Sequence, residues 1–370
     1  MGHKNSWGSK EYVLVTPVSI LDNSTVRSKI DPSNLNERLR QFPEHCSQAW
    51  GLSQDIYLPP EYNDVTNIVI SGMGGSSIGG DLLSDLASME RSKPFHIHRT
   101  YDLPTYTDES SLVIAISYSG NTAETISGFR RAIEKNAKLV VITSGGILAE
   151  EARNADIPIL SFDFIGEPRS ALGYSFIGPL GILVRLGLLS DKTPDLQDAL
   201  ESLTLQISQC IGHDVPSASN PAKELAISLK NRLPVIYGGG FFAGVARRWK
   251  TQFNENSKMW AQWETLPEAH HNAVSGLKLP KAVRDLATVI LLRPEPIHPS
   301  VAWRYKVTEE LFGSTGISFR DIAGAGNNPL SQILSTVILG DYTSYYLALL
   351  QGVDPSPVSD VEFIKQRLSE

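Results

Sequence analysis

The residues with the clearest chemistry lie in a hydroxyl-rich stretch at 117–125, with the sequence SYSGNTAET. The apolar run at 112–116 before it predicts a buried strand, and the run at 125–133 after it predicts a helix. Unpaired backbone N–H groups and the helix dipole make such a turn suited to anions, and Gly120 permits close approach of a ligand. Three side chains add hydrogen-bond donors: Ser117, Ser119 and Thr122. Because no Walker lysine follows, we predict a site for a single phosphoryl group on a small molecule. The alternative is a plain turn with an Asn or Thr helix cap.

Glycine and serine also follow two neighbouring predicted strands. Residues 72–81, with the sequence GMGGSSIGGD, come after a strand at 67–71, and residues 144–146 come after a strand at 139–143. The glycine spacing lacks the G-x-G-x-x-G order and the acidic partner of a dinucleotide loop, so a nicotinamide cofactor is not expected. Ligands of doubly wound sheets bind at the carboxyl ends of the strands. Three such turns therefore indicate one shared site.

A carboxylate candidate for acid–base chemistry is Glu255, within the sequence NENSK at 254–258. Three tryptophans lie nearby in sequence: Trp249, Trp260 and Trp263. A carboxylate among aromatic residues can have its pKa raised, as a general base near neutral pH requires. The alternative is a solvated helix end, where Glu and Asn are common.

Four basic residues remain as candidates. Arg169 precedes an apolar run, where its guanidinium can face a ligand anion or, equally, pair with Glu167. The adjacent His270 and His271 point in different directions, so we expect no metal site there, and one of them can transfer protons or simply be hydrogen-bonded. Lys365 falls in the last predicted helix, where the alternative is a solvated lysine.

The composition bounds the class of protein. The chain has 370 residues, a formal net charge of -7 and two cysteines far apart, Cys46 and Cys210. We expect a cytoplasmic globular protein without disulfides, and no nucleic-acid or membrane partner. The polar start predicts no secretory signal, and the longest uncharged run, 171–184, is too short to span a bilayer.

The order of predicted elements indicates an α/β fold with two doubly wound parallel sheets and flanking helices. A strand, a glycine turn and a helix recur in the second half at 234–253, which suggests two copies of one fold. The last long helix, 329–351, is predicted to be amphipathic. We expect an N-terminal arm at 1–30, a phosphate-binding domain at 31–200 and a second domain with the terminal helix at 201–370.

These motifs together resemble the bifunctional phosphoglucose/phosphomannose isomerase family, which is built from two SIS (sugar isomerase) domains. The resemblance runs in order from about residue 34 onward. It rests on seven stretches: 71–76, 117–122, 143–146, 253–258, 266–268, 271–272 and 354–358. The serine turn alone marks any SIS domain, whereas its combination with NENSK and a histidine sixteen residues after Glu255 is far more specific.

The resemblance implies aldose–ketose isomerisation of hexose 6-phosphates, glucose and mannose forms included, without metal or cofactor. It implies that Glu255 moves a proton between C1 and C2 through a cis-enediol(ate), whose charge Arg169 stabilises. His271 and Lys365 would open the sugar ring, with the histidine coming from the partner in a homodimer. The phosphate would bind Ser117, Ser119 and Thr122, and the sugar would contact Gly74, Gly75 and Ser76.

Three alternatives remain open. A sugar-phosphate-binding sensor would keep the pocket without turnover, but such regulators usually carry one SIS domain and a basic helix-turn-helix. An isomerase specific for glucose 6-phosphate would share every motif. An aminotransferring synthase would need an N-terminal nucleophilic cysteine, and neither cysteine is placed for one.

Overall fold

The computed structural model describes residues 20–368, which form two parallel β-sheets with helices on both faces. The first sheet has the order β2-β1-β3-β4-β5. Its strands are β1 (Asn67–Ser71), β2 (Phe95–His98), β3 (Ser111–Ser117), β4 (Lys138–Thr143) and β5 (Ile159–Ser161). The second sheet has the order β7-β6-β8-β9. Its strands are β6 (Leu233–Gly239), β7 (Gln262–Leu266), β8 (Ala287–Arg293) and β9 (Ser318–Ala323). The first four strands of each half follow the same order, which confirms two doubly wound units.

Fourteen α-helices connect and cover the sheets within the described residues. Those of the first half are α1 (Ser24–Ile30), α2 (Leu35–Arg40), α3 (Phe42–Asp55), α4 (Gly75–Ala87), α5 (Ala123–Glu134), α6 (Gly146–Asn154), α7 (Gly178–Arg185) and α8 (Thr193–Gln206). Those of the second half are α9 (Pro221–Leu229), α10 (Ala243–Glu255), α11 (Lys281–Leu286), α12 (Pro299–Thr315), α13 (Pro329–Gln351) and α14 (Ser359–Leu368). The predicted domain division at residue 200 falls inside α8 and stays a prediction.

Alternate strand residues enter different cores, as the two-residue period of a strand requires. Ile114 and Ile290 face one large cluster shared by both halves, whereas Val113 and Leu291 face smaller clusters on the outer sides. The halves are therefore joined by a common apolar core.

The helix α13 differs from its prediction. It spans 329–351 as expected, but it is buried on all sides rather than amphipathic. By length and composition it is the one described helix that could cross a membrane, and 94% of its most apolar 18-residue stretch is buried inside the protein. Packing against α8, α9 and α10 accounts for its apolar composition.

Part of the predicted N-terminal arm is docked rather than loose. Residues 1–19 lie outside the described residues. Leu21 is fully buried, and Asp22 accepts a hydrogen bond of 2.9 Å from the buried Nζ of Lys223. This ion pair and the burial of Leu21 fix the start of the described chain to the second half, which a search for helical periodicity could not reveal.

The strand β7 was not predicted. Its sequence, QWETL, has no continuous apolar run, because it is an edge strand whose residues are mostly half-exposed. Sequence patterns detect buried strands far better than such edges.

Candidate active site

The turns that follow β1 and β3 lie side by side at the point where the order of the first sheet reverses. Ser71 and Ala115 are register partners on these strands, so both turns leave the same sheet edge. The backbone N–H of Tyr118 donates to Oγ of Ser76 at 3.3 Å. The glycine-rich turn and the serine turn predicted from the sequence are thus brought together at the position where doubly wound sheets bind ligands.

The serine turn is held by its own hydroxyl groups. Ser117 is buried, its Oγ lies 3.0 Å from Oγ1 of Thr122, and it accepts from the N–H of Gly120 at 3.1 Å. Ser119 is exposed, and its Oγ accepts from the N–H of Asn121 at 3.2 Å. Thr122 precedes α5, yet its side chain accepts no capping bond from the first turn. Thr122 thus bonds to Ser117 within the turn and does not cap α5 with its side chain.

Glycine is required at two positions, because neighbouring backbone lies too close to leave room for a Cβ. Gly120 has φ +67°, and a Cβ there would lie 1.8 Å from the carbonyl oxygen of Gly145 in the neighbouring β4–α6 turn. At Gly75 a Cβ would lie 2.9 Å from the backbone of Pro168. The first contact stacks two strand-end turns, and the second brings the start of α4 against Arg169.

Arg169 is the centre of the polar contacts between the two halves. It is only 2% exposed, in a short 3-10 turn after β5. Its Nε donates to Oδ1 of Asn256 at 2.6 Å, its Nη1 to Oε2 of Glu255 at 3.4 Å, and its Nη2 to the carbonyls of Pro355 and Ser356 at 2.7 and 2.9 Å. Among residues 20–368 these bonds use four of its five N–H groups, and the second N–H of Nη1 can donate to a ligand oxygen.

Glu167, the alternative partner predicted for Arg169, pairs with Arg38 instead. Glu167 accepts two hydrogen bonds from Arg38, at 2.6 and 2.8 Å. Burial lowers the pKa of Arg169, and the charges of Glu255 and Glu167 oppose that effect. The guanidinium stays charged, because arginine does not lose its proton in proteins.

Glu255 is the last residue of α10, and its neighbours anchor it. Asn256 and Ser257 are fully buried and bond to Ser344 on α13, at 3.0 and 2.8 Å. The Nδ2 of Asn254 donates to the carbonyl of Met259 at 2.8 Å. The amides of the NENSK stretch are thus structural, and they leave the partly exposed Glu255 carboxylate beside Arg169.

The tryptophans do not enclose Glu255 as expected. Trp249 lies in the core, with its Nε1 donating to the carbonyl of Thr336 at 2.9 Å. Trp260 is 82% exposed, and the ring of Trp263 faces Arg247. The described polar partner of the carboxylate is a guanidinium. The expectation of an aromatic environment, drawn from nearness in sequence, was wrong because consecutive residues at a helix end point in different directions.

The two histidines differ in their surroundings. The hydroxyl of Thr308 donates to the carbonyl of Arg304 at 2.7 Å, so it accepts from Nε2 of His270 at 2.7 Å. Nδ1 of His270 then accepts from Arg304 at 3.1 Å, and burial together with Arg304 lowers the pKa of this histidine. His270 is a neutral, structural side chain. His271 is exposed, and no hydrogen bond or ion pair joins it to Glu255 within residues 20–368.

Lys365 lies on α14, all of whose described residues are exposed. Within its own chain the structure records no contact between Lys365 and Arg169 or Glu255 among the described residues.

The thiol of Cys46 is buried, which raises its pKa and keeps it inert. No group of three or more potential metal ligands is found within residues 20–368.

Sequence reasoning missed several groups that complete the site. Asn256 and the carbonyls of Pro355 and Ser356 hold Arg169, and Arg38 removes Glu167 from competition. The only sequence signal for them was the presence of NENSK and of 354–358 among the recognisable motifs. That these stretches meet Arg169 depends on the tertiary structure.

Each half of the chain matches a protein-family model of its own. Residues 61–159 match the SIS domain, and residues 218–368 match the bacterial phospho-glucose isomerase C-terminal SIS domain. The chain is 36% identical over 335 residues to a bifunctional phosphoglucose/phosphomannose isomerase of Caldicellulosiruptor bescii, covering 90% of this chain and 98% of the relative.

Two further proteins that are similar to this chain carry names with other activities. A D-glucosamine-6-phosphate 4-epimerase of Sulfolobus acidocaldarius is 29% identical over 307 residues, covering 80% of this chain and 92% of the relative. The C-terminal domain of glucosamine-fructose-6-phosphate aminotransferase from Francisella tularensis superposes with a TM-score of 0.68 at 15% identity, covering 86% of this chain and 97% of that one. The second likeness concerns the fold alone.

Proposed function

The chain belongs to the bifunctional phosphoglucose/phosphomannose isomerase family, and from this premise we propose that it interconverts glucose 6-phosphate and mannose 6-phosphate with fructose 6-phosphate. The observation that carries the proposal is the contact between Nη1 of Arg169 and the Glu255 carboxylate at 3.4 Å, next to the start of α4, where Ser76 bonds to the serine turn. A proton transfer between adjacent carbons needs a carboxylate base and a fixed positive charge for the enediolate oxygen. One residue from each half supplies these two groups.

The remaining roles are those that the family resemblance implies, and the described geometry supports them. The serine turn (Ser117, Ser119, Thr122) binds the phosphate and gives orientation through remote binding energy. The first turn of α4 (Gly74, Gly75, Ser76) lines the sugar, because Gly75 packs against the backbone next to Arg169. Glu255 moves the proton between C1 and C2. No cofactor is required in this scheme, since the proton passes between neighbouring carbons.

Ring opening falls to His271 and Lys365, and it needs a second copy of the chain. Both side chains are exposed, and within residues 20–368 neither shares a hydrogen bond or ion pair with Glu255 of the same chain. Beside His270 a 590 Å³ groove is lined by exposed apolar groups, with Trp303 62% exposed and Val307 38% exposed. These surfaces support a homodimer in which His271 enters the partner's site. The family and the two cysteines far apart in sequence support a cytoplasmic enzyme of carbohydrate metabolism.

The test is a coupled assay with fructose 6-phosphate in the presence of EDTA, with glucose 6-phosphate and mannose 6-phosphate detected separately. We expect both products, and we expect Glu255→Gln to lower kcat by at least 1000-fold while fructose 6-phosphate still binds. Glu201→Gln, an exposed carboxylate on α8 outside the Arg169 contacts and outside the seven family stretches, is the matched control. If glucose 6-phosphate is the one product formed, the proposed activity on mannose 6-phosphate would be refuted. Binding without either product would favour the sensor, and a 4-epimerised product would favour the epimerase.

A further inference from the structure

The backbone of Lys258 has an unusual conformation. Its φ is +56°, in the left-handed region that side chains other than glycine seldom adopt. Within residues 20–368 the other non-glycine residues with positive φ are all asparagine or aspartate: Asn34, Asp102, Asn136, Asp156 and Asn231. Those short polar side chains tolerate the left-handed region, whereas a lysine gains nothing from it locally. Surrounding contacts must therefore hold Lys258 in place.

Two carbonyls hold the ammonium. Nζ of Lys258 donates to the backbone oxygen of Glu255 and, at 3.1 Å, to that of Pro355. Nη2 of Arg169 donates to the same Pro355 oxygen at 2.7 Å. Two cations thus share one acceptor, and residues 354–357, here called the latch, are tied both to Arg169 and to the end of α10.

The latch is anchored by side chains rather than by the helix after it. Nη2 of Arg38 donates to Oγ of Ser356 at 3.3 Å, and Ser356 is only 7% exposed. Every described residue of α14, which begins at Ser359, is exposed. The cations around the latch therefore determine where Pro355 lies relative to Glu255.

We propose that Lys258 is a positioning residue for the isomerisation: its ammonium locks the latch against α10 and so holds Arg169 and Glu255 in their paired geometry. The proposal rests on the function proposed above. Hydrogen bonds from a charged donor are about twice as strong as those from a neutral one. Loss of the charge therefore loosens the latch, and a displacement of about 1 Å at the reacting groups can cost roughly 100-fold in rate.

The charges that face Lys258 come from three elements. Burial and, less strongly, the neighbouring charge of Arg169 lower the pKa of Lys258 to about 8, although the charges of Asp354, Glu255 and Glu167 act in the opposite direction. The ammonium is present below pH 8 and is lost as the pH rises through that value. Activity should consequently decline on the alkaline side near pH 8.

The first test is the pH dependence of kcat and KM from pH 6 to 10 with fructose 6-phosphate. Lys258→Met should lower kcat about 10- to 100-fold at pH 7, with KM changed less than threefold. Lys258→Arg keeps a cation that does not titrate in this range, so its alkaline limb should move above pH 9. Lys250→Met, on α10 itself and without a described ion pair, is the matched control and should follow the wild type. An identical alkaline limb in wild type and Lys258→Arg, or its absence from the wild type, would overturn the proposal.

The second test does not depend on turnover. Hydrogen–deuterium exchange at pH 7 should be at least tenfold faster in Lys258→Met for peptides spanning 353–368, and unchanged in β1. Unchanged exchange in the latch would overturn the proposal even if the rate fell. A wild-type protein inactive on every hexose 6-phosphate would refute the proposed function instead, while the exchange result would still report on the latch.

Discussion

At the scale of single residues, the site depends on the planar fork of Arg169. Four of its N–H groups serve Asn256, Glu255 and two latch carbonyls, in directions that a single ammonium cannot reproduce. The residue therefore combines a structural task with its proposed catalytic one. The structural task places it at the junction of both halves.

We expect Arg169→Lys to lower kcat about 100-fold, the usual loss when one stabilising donor at a developing oxyanion is misplaced. It should also lower the free energy of unfolding by about 1–3 kcal/mol, because buried acceptors are left unpaired. Steady-state kinetics and urea denaturation measure the two effects. Arg131→Lys, which alters an exposed ion pair with Glu134, should change neither by more than a few tenths of a kcal/mol. Wild-type kinetics in Arg169→Lys would contradict the proposed role.

At the scale of elements, the contact between α4 and α10 joins the two halves away from the reacting groups. The carboxylate of Asp85 accepts from the N–H of Gly244, at the start of α10, at 2.6 Å. Burial between the helices, with a smaller contribution from Asp81, raises the pKa of Asp85 to about 7. The contact between α4 and the start of α10 thus buries a titrating group.

The raised pKa gives stability a definite pH dependence. The folded state keeps the Asp85 proton between about pH 4 and 7 while the unfolded chain loses it, so the free energy of unfolding falls over that window and is lowest above pH 7. A shift of about three pKa units corresponds to at most about 4 kcal/mol. Asp85→Asn keeps the acceptor for Gly244 without the charge. Its melting temperature should match the wild type near pH 4 and exceed it at pH 8; an equal gap at both pH values would contradict this assignment.

At the scale of the whole molecule, the described chain leaves an apolar stripe uncovered on α14. Val361, Ile364 and Leu368 recur at helical spacing and are 45%, 57% and 80% exposed. In the proposed homodimer this stripe would pack on the second copy and carry Lys365 toward a site. Its burial there would also account for the exposure of every described residue of α14 in a single chain.

We expect Ile364→Glu to shift the protein from dimer to monomer, because a charge in an apolar contact is costly to bury. Light scattering coupled to size-exclusion chromatography measures the mass, and the isomerase assay should show activity falling with the dimer fraction. Ser359→Glu adds the same charge off the stripe and should leave the dimer intact. A dimer of full activity in Ile364→Glu would contradict a role for α14 in assembly.

The sequence by itself determined the class of fold, the buried strands and the serine turn. Branched apolar runs such as 112–116 and glycines required at strand ends act locally, so one strand with its neighbouring turn suffices to predict them. The resemblance identified the family from the same motifs, and the family is confirmed by relatives along nearly the whole chain. The two-copy arrangement also followed, from the repeated order of strand, turn and helix.

Only the tertiary structure determined which distant residues contact each other. Arg169 meets Glu255 and the latch across 86 and 186 positions of sequence, Glu167 pairs with Arg38 instead, and Asp22 joins Lys223. The burial of α13 on all sides and the edge strand β7 were likewise hidden, because composition does not report which faces are covered. Local pattern reflects the period of the backbone, whereas partners and pKa values arise from packing between distant segments, which no short stretch of sequence contains.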